Sequence, residues 1–211
     1  HILKAGFELS VNALDEKVVQ EFVALGANCG SYADLGKECD VVMVMVPTGA
    51  ISKEVMFGEN GVASTAKPGT VLVDLSSVTP IESQECYKLA KEKGLMFLDA
   101  PVSGGEPKAV DGTLATMVGG DQEAFDIAKP VLDAFSSSVL LVGDSGAGST
   151  AKLVNQIIVN NNIAIVGEAF TFAAKTGVDP VKVYEAIRGG LAGSCVLDAK
   201  LPMMVARNFV P

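Results

Sequence analysis

The residue types that could perform chemistry are concentrated in residues 146–156, which read GAGSTAKLVNQ. Lys152 is followed at i+3 and i+4 by Asn155 and Gln156, so a helix would place all three side chains on one face. The next residues, 157–159, are apolar. A lysine in such surroundings is partly desolvated, which lowers its pKa towards the range useful for proton transfer. A lysine on an apolar helix can also extend to water, but the two neighbouring amides favour a functional Lys152.

Three clusters of small residues follow segments that the sequence predicts as buried strands. Open parallel sheets bind their ligands at the carboxyl ends of the strands. Hydroxyl-bearing and glycine-rich clusters let backbone N–H groups approach a ligand closely, although ordinary turns use the same residue types. Their common position at one edge of a sheet favours a binding site. The clusters are Val46-Pro47-Thr48, Ser76-Ser77-Val78-Thr79 and Asp99 to Gly105.

The predicted elements alternate between strands and helices as far as residue 143. Short, continuous apolar runs are typical of parallel strands covered on both faces. The alternation predicts an α/β fold with a parallel, doubly wound sheet of Rossmann type. The predicted strands are 7–12, 41–47, 70–77, 95–102, 112–120 and 138–143, and the predicted helices are 15–26, 48–58, 80–94 and 121–135.

Beyond Gly143 the pattern is helical only. One long helix is predicted from Gly146 to about Thr176, a second helix over 181–190, and a last segment from Cys195 to about Arg207. The sequence therefore predicts a Rossmann-type domain at 1–145 and the start of an all-helical domain at 146–211.

Composition and charge argue against several classes of function. Apolar residues make up 49% of the chain and charged residues 19%, which is typical of a globular protein. The net charge of −9, without a basic cluster, argues against nucleic acid or an anionic membrane as a partner. No stretch of about 18 residues lacks polar groups, so no membrane span is expected. One histidine and four dispersed cysteines offer few metal ligands, so no metal is expected, and free thiols fit the cytoplasm.

Three long motifs resemble those of a known family: DAPVSGGEPKAVDGTLATMVGGD (99–121), GAGSTAKLVNQIIV (146–159) and YEAIRGGLAGSCVLDAK (184–200). With them the chain resembles the β-hydroxyacid dehydrogenase family over nearly its whole length. The resemblance implies an enzyme that interconverts short β-hydroxyacids and semialdehydes with NAD or NADP. It also implies a long interdomain helix, a small carboxylate-bearing aldehyde or hydroxyacid as the ligand, and a homo-oligomer formed through the helical domain.

The resemblance also implies a role for each matching residue. Lys152 would be the general acid that protonates the nascent alkoxide, and Asn155, with Gln156 behind it, would orient substrate and lysine. The substrate carboxylate would be held by Ser103, Gly104 and Gly105. The cofactor would be contacted by Asn12, Val46, Pro47, Ser77 and Thr79.

The chain departs from the family pattern at its first strand. The glycine fingerprint that cradles the pyrophosphate is not found there, and residues 1–6 resemble the end of the helix that would follow it. We therefore expect that turn upstream of His1, and further family helices beyond Pro211. Strand 7–12 ends in Asn12-Ala13-Leu14, which carries neither the acidic residue typical of NAD enzymes nor the arginine typical of NADP enzymes. The choice of cofactor stays open.

Within the enzyme class, the alternative is a 3-hydroxyisobutyrate dehydrogenase or another short semialdehyde reductase. Phosphogluconate dehydrogenases share the architecture but typically place a histidine three residues after the lysine, where this chain has Asn155, which argues against that activity. A non-catalytic dinucleotide-binding or oligomerisation module is the alternative from a different class. The presence of Lys152, Asn155 and Ser103 together favours the enzyme.

Overall fold

The computed structural model describes residues 1–209, which form two compact units, His1–Lys152 and the residues from Leu153 onward. The strands are β1 (Ser10–Val11), β2 (Asn28–Cys29), β3 (Val41–Val44), β4 (Val71–Asp74), β5 (Met96–Asp99), β6 (Val102–Ser103), β7 (Leu114–Gly120) and β8 (Ser136–Gly143). The helices are α1 (Glu16–Ala24), α2 (Tyr32–Glu38), α3 (Gly49–Phe57), α4 (Pro80–Glu92), α5 (Gly105–Asp111), α6 (Gln122–Asp133), α7 (Ala147–Lys175), α8 (Pro180–Ile187) and α9 (Cys195–Val205).

The main sheet has the order β3-β4-β5-β7, with β6 and β8 also paired to β7. β3, β4 and β5 are parallel, as the sequence predicts. Alternate strand residues enter two apolar clusters, one containing Val42, Leu72 and Phe97, the other containing Val73 and Leu98. Both faces of the sheet are therefore covered, which explains the continuous apolar runs and confirms the doubly wound α/β class.

One strand departs from the parallel arrangement. β7 runs antiparallel to β5 and to β6. β5 and β6 continue the same pairing register along β7, and the pairing is interrupted only at Ala100-Pro101. The predicted strand 95–102 is thus one extended segment in two pieces. Only ten residues separate Ser103 from Leu114, fewer than the dozen or so that a parallel crossover requires. The sheet is therefore mixed.

β1 and β2 form a separate parallel pair. A groove of about 770 Å³ lies between β1 and β3, lined among others by Val11, Asn12, Val42 and Met43. With a neighbour on one side only, β1 keeps two of the six residues predicted for it.

α7 is one continuous helix, which confirms the predicted helix to within a residue at each end. In the second unit Val166 and Phe170 of α7 pack with Leu197 and Leu201 of α9. By length and mean hydropathy (1.3) α7 could cross a membrane, contrary to the expectation from its polar residues. Core helices of soluble proteins have the same length and composition.

Candidate functional site

The carboxyl ends of β3, β4 and β5 lie at one edge of the sheet. Val44 pairs with Asp74, and Asp74 pairs with Asp99, so the three strands end level with one another. The three predicted clusters therefore leave the sheet on the same side. Pro47 and Ser77 are exposed there, and Val46 is half-buried.

Ser76 joins two of these clusters. Its buried hydroxyl accepts a hydrogen bond from the Val46 backbone N–H at 2.9 Å. Its own N–H donates to the Asp74 carboxylate at 2.9 Å. The turn that carries Val46 and Pro47 is thereby held against the segment that carries Ser77.

The third cluster contains two glycines in conformations that other residues rarely adopt. Ser103 is the last residue of β6, and α5 begins at Gly105. Gly104 has φ +138° and Gly105 has φ +66°. Both are exposed, so the backbone at this turn is accessible to a ligand.

Lys152 lies in the second turn of α7 and is half-buried. Its Nζ donates to the carbonyl oxygen of Val102 at 2.8 Å, and Val102 directly precedes Ser103. Partial burial lowers the pKa of Lys152 below its ordinary value. An ammonium has three N–H donors, so the bond to Val102 leaves donor capacity for a substrate oxygen.

The remaining predicted site residues lie in α7, after β1 and at the start of α4. Asn155 and Gln156 are in α7, three and four residues after Lys152, and are half-buried. Asn12 directly follows β1 and donates through Nδ2 to the Gly30 carbonyl at 2.7 Å. Thr79 is the N-cap of α4, and its hydroxyl donates to Glu82 at 2.7 Å. A structural role for Thr79 is thus established, whereas its contact with a cofactor stays a prediction.

Sequence reasoning assigned no role to Asp99, which is fully buried at the end of β5. Its carboxylate accepts from the backbone N–H groups of Gly146 and Ser149, both at 2.7 Å. Burial raises the pKa of Asp99, and the two hydrogen bonds oppose that shift. A carboxylate at the last position of an apolar strand is the sequence signal that could have identified it.

The exposed strand ends present no charge that would repel the phosphates of a dinucleotide. Pro47 and Ser77 present small, uncharged side chains, and the one carboxylate of β4, Asp74, is buried. Within residues 1–209, no group of three or more acidic, histidine or cysteine side chains could hold a metal ion. A Rossmann-type sheet with small residues at its strand ends, followed by a half-buried lysine, is typical of NAD(P)-dependent oxidoreductases.

Comparisons with known proteins agree with this class. Residues 1–143 match the NAD binding domain of 6-phosphogluconate dehydrogenase. Residues 146–211 match the NAD-binding family of NADP-dependent 3-hydroxyisobutyrate dehydrogenase. The chain is 41% identical to a 2-hydroxy-3-oxopropionate reductase of Escherichia coli (strain K12), over 100% of its own length and 72% of the relative's.

Two further relatives carry different names. An L-threonate dehydrogenase of Cupriavidus necator is 34% identical over 100% of this chain and 71% of its own length. A crystal structure of 3-hydroxyisobutyrate dehydrogenase from Salmonella typhimurium superposes with a TM-score of 0.88 at 30% identity, covering 100% of this chain and 74% of that one. The chain belongs to the β-hydroxyacid dehydrogenase family and is an oxidoreductase that uses NAD or NADP.

Proposed function

We propose that the protein reduces tartronate semialdehyde (2-hydroxy-3-oxopropionate) to D-glycerate, with Lys152 as the general acid. The observation that carries this proposal is the half-buried Lys152 ammonium, bound to the Val102 carbonyl beside the Ser103-Gly104-Gly105 turn. The choice of substrate is supported by the 41% identity to the E. coli 2-hydroxy-3-oxopropionate reductase.

The reaction needs a proton donor and a carboxylate site in one place. The nicotinamide cofactor, when bound, supplies a hydride to the aldehyde carbon. Lys152 Nζ–H then gives its proton to the developing alkoxide, so that the aldehyde becomes an alcohol and the lysine becomes neutral. Such proton transfer contributes a factor of about 10² to 10⁴. The lowered pKa of Lys152 makes release of this proton easier near neutral pH.

The remaining site residues position the reactants. The Ser103 hydroxyl and the backbone N–H groups of Gly104 and Gly105 hold the substrate carboxylate, while Asn155 and Gln156 orient substrate and lysine. Orientation of this kind accounts for much of the rate of a two-reactant step. On the cofactor side, Val46, Pro47, Ser77 and Thr79 line the nicotinamide, and Asn12 lies towards the ribose.

The second candidate is another short semialdehyde reductase, such as a 3-hydroxyisobutyrate dehydrogenase. The observation that favours it is the TM-score of 0.88 to the Salmonella enzyme. Both activities require the same lysine and carboxylate site, and they differ in the group on the substrate's second carbon. A non-catalytic module would have no use for a desolvated Lys152.

We expect the protein to act in the cytoplasm and as a homo-oligomer. The second expectation is supported by apolar side chains of α7 that are more than half exposed, namely Val154, Ile157, Ile158, Ile165 and Phe172. Apolar surface of this kind is typical of interfaces between subunits.

The test is a substrate panel with the full-length protein. Tartronate, methylmalonate and succinate semialdehydes are assayed with NADH and with NADPH, following cofactor absorbance. The proposal expects the highest kcat/KM for tartronate semialdehyde and D-glycerate as the product. A higher kcat/KM for methylmalonate semialdehyde would select the second candidate, and no turnover of any of the three would contradict both.

A further inference from the structure

We propose that Asp99 is a positioning residue for the reaction: its buried carboxylate fixes the first turn of α7 and thereby the place of Lys152. This inference rests on the proposed role of Lys152 as the general acid. Asp99 itself touches neither substrate nor cofactor, and its effect is transmitted through the backbone of α7.

Residues 99–102, which join β5 to β6, form hydrogen bonds with the start of α7 at both of their ends. Asp99 Oδ1 accepts from Gly146 N–H, and Asp99 Oδ2 accepts from Ser149 N–H. Three residues later the Val102 carbonyl accepts from Lys152 Nζ. The same strand segment therefore holds both the start of α7 and the lysine. A shift of α7 at Asp99 would also move Lys152 relative to Val102.

Two glycines, Gly148 of α7 and Gly119 of β7, lie in contact where the helix meets the sheet. A Cβ on Gly148 would collide with the backbone oxygens of Asp99 and Met117. A Cβ on Gly119 of β7 would lie 2.6 Å from Gly148 N and 2.7 Å from Asp99 Oδ1. Both distances are below any real Cβ contact, so the helix can approach the sheet this closely only because both residues are glycine.

The start of α7 resembles an anion-binding site, and the Asp99 carboxylate occupies the place of the anion. GAGSTA follows strand β8 and opens a helix, which is the pattern of a phosphate-binding turn. The anion in this protein is the Asp99 carboxylate, which accepts two of the N–H groups that a helix leaves unsatisfied at its start. The positive end of the helix dipole favours that negative charge.

Asp99 and Asp74 form a matched pair for the experiment. They are in-register neighbours at the ends of β5 and β4, and both are buried. Asp99 accepts from two backbone N–H groups, which only donate, so Asp99→Asn puts an NH₂ donor against one of them. Asp74 accepts from the Ser76 N–H and from the Ser52 hydroxyl, and a hydroxyl can also accept. Asp74→Asn therefore keeps both bonds and serves as the control.

The experiment measures kcat and both KM values of the two variants in the full-length enzyme. Because a small misplacement of a catalytic group is costly, Asp99→Asn should lower kcat by at least about tenfold. It should change the KM for the cofactor by less than about threefold. Asp74→Asn should keep kcat within about threefold of the wild type. A folded Asp99→Asn enzyme with normal kcat would overturn the inference.

A double-mutant cycle separates this inference from the proposed function. If Asp99 acts through Lys152, Asp99→Asn should change kcat by less than about twofold in a Lys152→Ala background. An undiminished effect there would show a merely structural role. Normal turnover by Lys152→Ala alone would end the general-acid role, and this inference with it.

A second variant covers the case in which Asp99→Asn does not fold. Gly119→Ala keeps the carboxylate but places a methyl group between Asp99 and Gly148. It should show the same loss of kcat with little change in the KM for the cofactor, and the same lack of effect in the Lys152→Ala background. Normal kcat in folded Gly119→Ala would contradict the inference equally.

Discussion

The ionisation of three buried or half-buried side chains is controlled by the fold. Burial lowers the pKa of Lys152 and raises the pKa of Asp74 and of Asp99. Lysine and carboxyl groups shift in opposite directions because burial disfavours the charged form of each. The pH dependence of activity and of stability can therefore be predicted separately.

The pH profile of reduction should have a basic limb set by Lys152. A general acid works only when protonated, so kcat/KM should fall as pH rises through the pKa of this lysine. Because burial lowers that pKa, the fall should begin below the ordinary lysine value of about 10.4. The measurement is kcat/KM between pH 6 and pH 10 at saturating cofactor, in about half-unit steps. A flat profile over this range would contradict the assignment.

Asp74 should lower stability as pH rises. With its pKa raised in the folded state, its favourable contribution is complete below the unfolded pKa of about 3.9 and is lost as pH rises through the folded pKa. Asp74→Asn stays neutral, so its free energy of unfolding, relative to the wild type, should increase from about pH 4 to pH 7. Urea unfolding at both pH values measures this.

Asp121 is the control for Asp74, because its pKa is shifted in the opposite direction. Its hydrogen bond with Lys91 lowers the pKa of this carboxyl, so its contribution is present above the unfolded pKa and is lost as pH falls. Asp121→Asn should therefore lose stability relative to the wild type as pH rises, where Asp74→Asn gains it. The same trend in both variants would show that the pH effect does not come from burial of Asp74.

At the scale of single elements, the sequence predicts long helices and buried strands well and short elements poorly. α7, β3 and β4 follow from long apolar patterns. α2 was not predicted, although Ser31 and Asp34 form a capping box at its start, because its seven residues contain Gly36. α5 was not predicted either, since its seven residues lie between Gly104 and Gly112. Short helices depend on tertiary packing, which a local pattern does not contain.

Two glycines of α7 should respond to alanine in opposite ways. Gly148→Ala should destabilise the protein by about 1–3 kcal/mol, because its Cβ would overlap the backbone of β5 and β7. Gly167→Ala meets only the Met204 side chain, at 4.0 Å, so it should stabilise the helix by about 0.5–1 kcal/mol. Thermal unfolding of both variants measures the difference. Equal Tm values would contradict the close approach of α7 to the sheet.

At the scale of the whole molecule, the family could be predicted because the motifs at 99–121 and 146–159 are long, and the α/β class because predicted strands and helices alternate. The antiparallel direction of β7 was not predicted, although the ten residues between Ser103 and Leu114 are too few for a parallel crossover. The buried contacts of Asp99 were missed for a different reason. They join residues 47 and 50 positions apart, and only the folded chain brings these together.

The assembly can be tested directly. If exposed apolar residues of α7 lie at an interface between subunits, light scattering of the full-length protein should give a mass of at least two chains. Ile165→Glu should reduce that mass, because a buried charge is costly at an interface. A monomeric wild type at micromolar concentration would contradict the proposed oligomer.

The most direct test of the proposed function is the turnover of Lys152 variants of the full-length enzyme with tartronate semialdehyde. Lys152→Ala should lower kcat by a factor of about 10² or more, with little change in cofactor affinity. Lys152→Arg should not restore the rate, because a guanidinium does not release its proton near neutral pH. Lys175→Ala, at an exposed position in the last turn of the same helix, is the control and should turn over normally. Near-normal kcat in Lys152→Ala would contradict the mechanism.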